Sequence, residues 1–273
     1  MDPIQTLPDL LFSGSVLTGY ACTGIFYLLL PVAAYLILRK FSETRIYAVI
    51  IGCIVYFLSV KLCDLCAMVV GSGLPFSAKV VVASALAAFF EEPGRLLAMR
   101  YPIADIRKNS SVICYAIGHA GLECVIRAIH AFRIFRTGAL VNQRGLQSIL
   151  NGKSAEQAAA AAAELQQYAN HDLFAGFWDI CNAVTNFGVH IALSLLIFNK
   201  AIRSGIWLRW LLLAILLHYL LNAAAFFTAF SPNASLSGMI GCACGIGIAA
   251  LVYRLIDGKA VINEILYPLA DNN

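Results

Sequence analysis

Four stretches of this sequence place ionisable or polar side chains on one face of an otherwise apolar helix. The run FFEEPGRLL carries Glu91, Glu92 and Arg95, and the next stripe is His119, Glu123, Arg127 and His130, at i, i+4, i+8 and i+11. A third stripe is Asp179, Asn182, Asn186, His190 and Ser194, and a fourth is His218 with Asn222. Residues three or four apart, and their multiples, share a helix face. Two or three neutral imidazoles with a carboxylate or amide oxygen can hold Zn²⁺ and leave one position for water. Such an ion acidifies its water to about pH 7, and a nearby glutamate that takes the proton leaves a hydroxide able to attack a peptide carbonyl. The adjacent Glu91 and Glu92 suit the base role, since repulsion between neighbouring like charges favours uptake of a proton. Arg95, one turn on, can hold one of them oriented. The soluble metalloprotease pattern His-Glu-x-x-His is absent, so such a site must be assembled across helices.

The elements that position these groups are membrane spans. Of 273 residues, 60% are hydrophobic and only 12% charged, with a mean hydropathy of +0.79. A soluble domain has about a quarter charged residues. The composition therefore excludes a cytosolic enzyme, a secreted disulfide scaffold and a nucleic-acid binder. Apolar runs of about 20 residues recur, the length a helix needs to cross a bilayer. The expected fold is an all-α polytopic transmembrane bundle over 1–273. Seven spans are expected, roughly 14–38, 46–70, 77–99, 111–132, 173–199, 207–230 and 235–256. An eighth helix is possible within 133–172. Spans three to six, 77–230, form the expected catalytic core.

Basic residues follow spans one, three, five and seven: Arg39, Lys40 and Arg45; Arg100, Arg107 and Lys108; Lys200, Arg203 and Arg209; Arg254 and Lys259. The positive-inside rule then puts the N-terminus outside and the C-terminus in the cytoplasm. The segment 133–172 becomes an exterior loop, whose alanine-rich part, SAEQAAAAAAELQQY, has Ser154 and Gln157 spaced as a capping box. Measured inward from the cytoplasmic ends, Glu92, His119, His190, His218 and Glu123 lie at ~10 to ~18 Å depth. Groups at one level in the cytoplasmic half of the bilayer, on four spans, describe a site. Nine cysteines, single or in lone pairs within apolar runs, read as small buried hydrophobes. Asn233-Ala234-Ser235 fits a glycosylation sequon.

Glu91-Glu92-Pro93-Gly94-Arg95, Gly118-His119 with Glu123, His190 with Ser194, and His218 with Asn222 together resemble the ordered motifs of the YhfC family of intramembrane metalloproteases. That family is related to the PrsW proteases and to the CAAX prenyl endopeptidases with their bacteriocin-processing relatives. The resemblance covers roughly 85–225. It implies a zinc-dependent intramembrane protease in a bacterial plasma membrane, acting on a membrane-associated protein or peptide. Glu92 or Glu91 would activate water, His190 and His218 would bind the metal, and Glu123 and Asn222 would complete the shell, with His119 as a further ligand candidate. The CAAX endopeptidases space their first motif one residue wider, and have histidine where this chain has Glu123.

Plainer readings stand beside these. Glu91 and Glu92 could form a structural ion pair with Arg95 or Arg127. His119 could pack beside Gly118 and Gly121, Asn222 could make an interhelical hydrogen bond, and Ser194 reads as packing. Lys61 and Asp64 read as a structural salt bridge, Asp179 could pair with Arg127, and His130 and His171 read as solvated. Two other functions remain open on the same residues: a proton-coupled transporter and a catalytically inactive binding protein.

Overall fold

The computed structural model describes residues 10–70, 73–103, 108–171, 173–230 and 234–267, the side chains of 76, 225–230 and 234 excepted. Among the described residues every regular element is a helix: α1 Gly14–Phe41, α2 Ile46–Val70, α3 Phe76–Arg100, α4 Asn109–Arg144, α5 Leu146–Leu150, α6 Ala155–Ala169, α7 Leu173–Leu196, α8 Trp207–Phe230, α9 Ala234–Leu255 and α10 Gly258–Leu266. A π-helical stretch, Ile197–Ile202, continues α7. Among the described residues, six helices, α1, α2 and α4 among them, are long and apolar enough to cross a membrane. The 25-residue α3 also has the length. It differs in carrying Lys79, Glu91, Glu92, Arg95 and Arg100.

The expected loop at 133–172 is largely helical. The helix of the fourth expected span continues past 132 to Arg144, and α5 and α6 follow. The backbone hydrogen-bond ladder of α4 runs straight through Arg133 and Arg136. The capping box forms as spaced: the Gln157 N–H donates to Ser154 Oγ, and the Ser154 N–H to Gln157 Oε1. The sequon asparagine, Asn233, lies outside the described residues.

The residues fall into two compact units, Met1–Leu28 with Val125–Ile180, and Leu29–Cys124 with Cys181–Asn273. In the first, Phe12, Val16 and Tyr20 pack with Ile134, Val141, Leu150 and Leu165 in an apolar core. His171, expected in solvent, instead stacks on Tyr20 with ring centroids 5.1 Å apart and lies 3.0 Å from Asp179 Oδ2. The second unit carries every candidate site residue. Its helices approach closely where glycines face backbone. A Cβ at Gly52 would collide with the Tyr115 carbonyl, and one at Gly118 with the Val49 carbonyl. This crossing of α2 and α4 places the backbone of His119 against α2, and the Cys53 thiol donates to the Gly118 carbonyl at 3.2 Å. On α3, Pro93 withholds one N–H from the ladder. Gly94 beside it faces Val55 and Ser59 of α2, and the Ser59 hydroxyl donates to the Phe90 carbonyl. Asn182 of the third stripe turns to α9 instead, donating to the Gly238 carbonyl at 3.1 Å.

Candidate metal centre

Glu91, Glu92, Arg95, His119, His190, Ser194 and His218 are all buried. A buried charge needs a partner of opposite sign, and the contacts among these side chains supply it, although Glu92 Oε2 and Arg95 Nε meet as an ion pair without a hydrogen bond. Glu92 faces two partners: Oε1 is 2.8 Å from His218 Nδ1, and Oε2 is 3.1 Å from Arg95 Nε. Glu91 Oε2 lies 2.9 Å from His119 Nε2 and 3.8 Å from His218 Nε2.

Arg95 ties α3 to α7. Its Nη1 donates to the His190 carbonyl and to the Ser194 hydroxyl, and Nη2 lies 3.1 Å from His190 Nδ1 and 3.4 Å from His119 Nε2. Ser194 Oγ in turn donates to the His190 carbonyl at 2.8 Å. Ser194 is therefore a polar member of the cluster, not a packing residue as its small size suggested. Glu123, whose side chain is 12% exposed, has Oε2 at 3.0 Å from His190 Nε2 and accepts from Asn186 Nδ2 at 3.0 Å through both oxygens.

The ring nitrogens can be assigned from their partners. Arginine only donates, so His190 Nδ1 accepts from Arg95, and a neutral ring then donates from Nε2 to Glu123. His119 Nε2 faces the Glu91 carboxylate, which only accepts, and Nδ1 lies 3.4 Å from the Tyr115 hydroxyl. Both nitrogens of His119 are thus engaged. The rings of His119 and His190 sit 5.1 Å apart, and those of His190 and His218 5.2 Å.

Glu91, His190 and His218 can each offer a ligand atom, all within 4.8 Å of one another. The set fits a divalent cation in its chemistry, two imidazole nitrogens and one carboxylate oxygen from three helices. His218 meets the requirement that a ligating histidine give its other N–H to a carboxylate, here Glu92. His190 joins by releasing one of its two contacts.

All the expected site residues but Asn222 are linked by these contacts. Asn222 sits half-buried one turn along α8 from His218, and among the described residues its side chain makes no hydrogen bond. Two contributors carried no role in the sequence reading. Tyr115 and Asn186 each lie four residues before a site histidine, and that spacing was the available signal.

The geometry is that of a buried candidate metal centre on membrane-length helices. The family model of the YhfC intramembrane metalloproteases matches residues 26–236, and the chain belongs to that family. The resemblance seen in the four motifs is borne out over most of the chain. No curated protein and no solved structure matches it.

Proposed function

We propose that this protein is an intramembrane zinc protease that hydrolyses a peptide bond of a membrane-associated protein or peptide. The observation that carries the reading is the buried group Glu91, His190 and His218, gathered from α3, α7 and α8. These three would hold the ion, which when bound polarises a carbonyl and acidifies water. Glu92 accepts the Nδ1–H of His218 and so points its Nε2 towards Glu91. With both oxygens engaged and no exposure, Glu92 serves orientation better than proton transfer. Glu123 is more open and is steadied by Asn186, so it takes the base role and accepts the proton of the attacking water.

His119 holds Glu91 in place and is itself fixed by Tyr115. Arg95 neutralises Glu92 and locks the backbone turn of His190. Asn222 is available to hydrogen-bond the scissile carbonyl. The reading includes seven spans, with α3 as the polar one, an exterior N-terminus, and a water-filled cavity open to the cytoplasm. Such a cavity must admit water, since hydrolysis consumes it. The test is cleavage of single-span peptide substrates by the reconstituted protein. Wild type should cut, chelation should stop it, and His218→Ala and Glu123→Gln should be silent while folded. Cleavage that persists in both variants would overturn the proposal.

A further inference from the structure

A groove of about 950 Å³ lies between α2 and α3, near the ends joined by residues 71–75. Lys61, Asp64, Leu65, Met68, Lys79 and Val82 are among its lining residues. Lys61 and Asp64 form the expected salt bridge, 3.2 Å long, yet their side chains remain 59% and 57% exposed on a helix apolar enough to span a membrane. Lys79, one turn into α3, is exposed, and among the described residues it has no ion-pair partner.

A cation on a lipid-facing helix surface is costly and must find an anion or reach the interface. Lys61 is nine residues from the end of α2, ~13 Å along the axis, and Lys79 three residues from the start of α3, ~5 Å. Lysine stems can carry both ammonium groups towards the headgroup level. Lys61 uses one N–H on Asp64 and keeps two to offer. Two lysines against one aspartate leave the groove with a net charge of +1, and Leu65, Met68 and Val82 line it with apolar surface. The complementary ligand has one negative charge at its head and hydrocarbon behind it. A zwitterionic head would bring its own cation against Lys79.

We propose that this groove binds an anionic phospholipid of the surrounding bilayer, its phosphate on Lys79 and Lys61 and one acyl chain along Leu65, Met68 and Val82. Asp64 then limits affinity, because it competes for Lys61 and repels the phosphate.

The test uses the purified full-length protein in an uncharged detergent, titrated with phosphatidylglycerol or phosphatidylcholine of matched chains. Native mass spectrometry counts bound lipid and thermal melting reports stabilisation. Phosphatidylglycerol should bind and raise Tm, with phosphatidylcholine at least fivefold weaker. Lys79→Gln should weaken phosphatidylglycerol at least fivefold, Asp64→Asn should tighten it, and Arg39→Gln on α1 should leave it unchanged. Equal binding of the two lipids, an unaffected Lys79→Gln variant, or preference for a neutral apolar peptide would overturn the assignment. Neither readout involves catalysis, so the result stands apart from the protease reading.

Discussion

His218 Nδ1 and Glu92 Oε1 meet at 2.8 Å in a fully buried contact between α8 and α3, while Nε2 of the same ring faces Glu91 Oε2 at 3.8 Å. One carboxylate holds the ring and the neighbouring carboxylate lies where the ring is aimed. Two adjacent glutamates on one helix thus do different work on one histidine. Carboxylate partners of this kind are worth about 10- to 100-fold in metal affinity.

Glu92→Gln should accordingly weaken zinc binding by about 10- to 100-fold, because the amide cannot satisfy His218 and Arg95 together. Competition against a chromogenic chelator measures this. Unchanged affinity would show that Glu92 does not orient the ligand.

Arg95 joins Glu92, His190 and Ser194 through a planar fork that lysine cannot reproduce. Arg95→Met leaves the Glu92 charge buried and uncompensated, and should cost about 3–5 kcal/mol. Arg95→Lys restores the charge without the fork, and should recover part of the stability but not the activity. Unfolding of both variants, followed by circular dichroism, checks the order.

At Gly118 an added methyl would drive into the Val49 carbonyl, whereas at Gly19 of α1 nothing lies within 4 Å. Gly118→Ala should destabilise the protein by at least ~1–3 kcal/mol, the cost of overpacking. Gly19→Ala should be neutral or stabilising, since alanine is the better helix former. Equal melting temperatures for the two would contradict the close α2–α4 crossing.

How far the sequence foretold this arrangement follows from the range of each interaction. The polar stripes on α3, α4, α7 and α8 were visible because helical spacing is a local property. The Ser154–Gln157 box was legible for the same reason. Partner choice across helices was not: nothing local tells whether Glu91 or Glu92 backs His218, or sends Asn182 to α9 rather than into the cluster. The expected span ends near 132 while α4 runs to Arg144, because the length of an apolar run marks a membrane span and a helix can leave a membrane without ending. The amphipathic α10 was too short to stand out against the apolar helices.

Asn186 Nδ2 donates to both oxygens of Glu123. Hydrogen bonds to a charged group contribute about 1.5–3 kcal/mol. Asn186→Ala should therefore lower kcat by about 10- to 100-fold while zinc content stays at the wild-type level. A loss of zinc in this variant would make Glu123 a ligand rather than the base.

The most direct measurement is the metal content of the purified protein, by mass spectrometry of the element, in wild type, His190→Ala and His218→Ala. One zinc per chain in wild type and a loss in both variants, with helicity retained, is the expected result. Stoichiometric zinc surviving both substitutions, or full proteolytic activity in a metal-free wild type, would contradict a centre held by Glu91, His190 and His218.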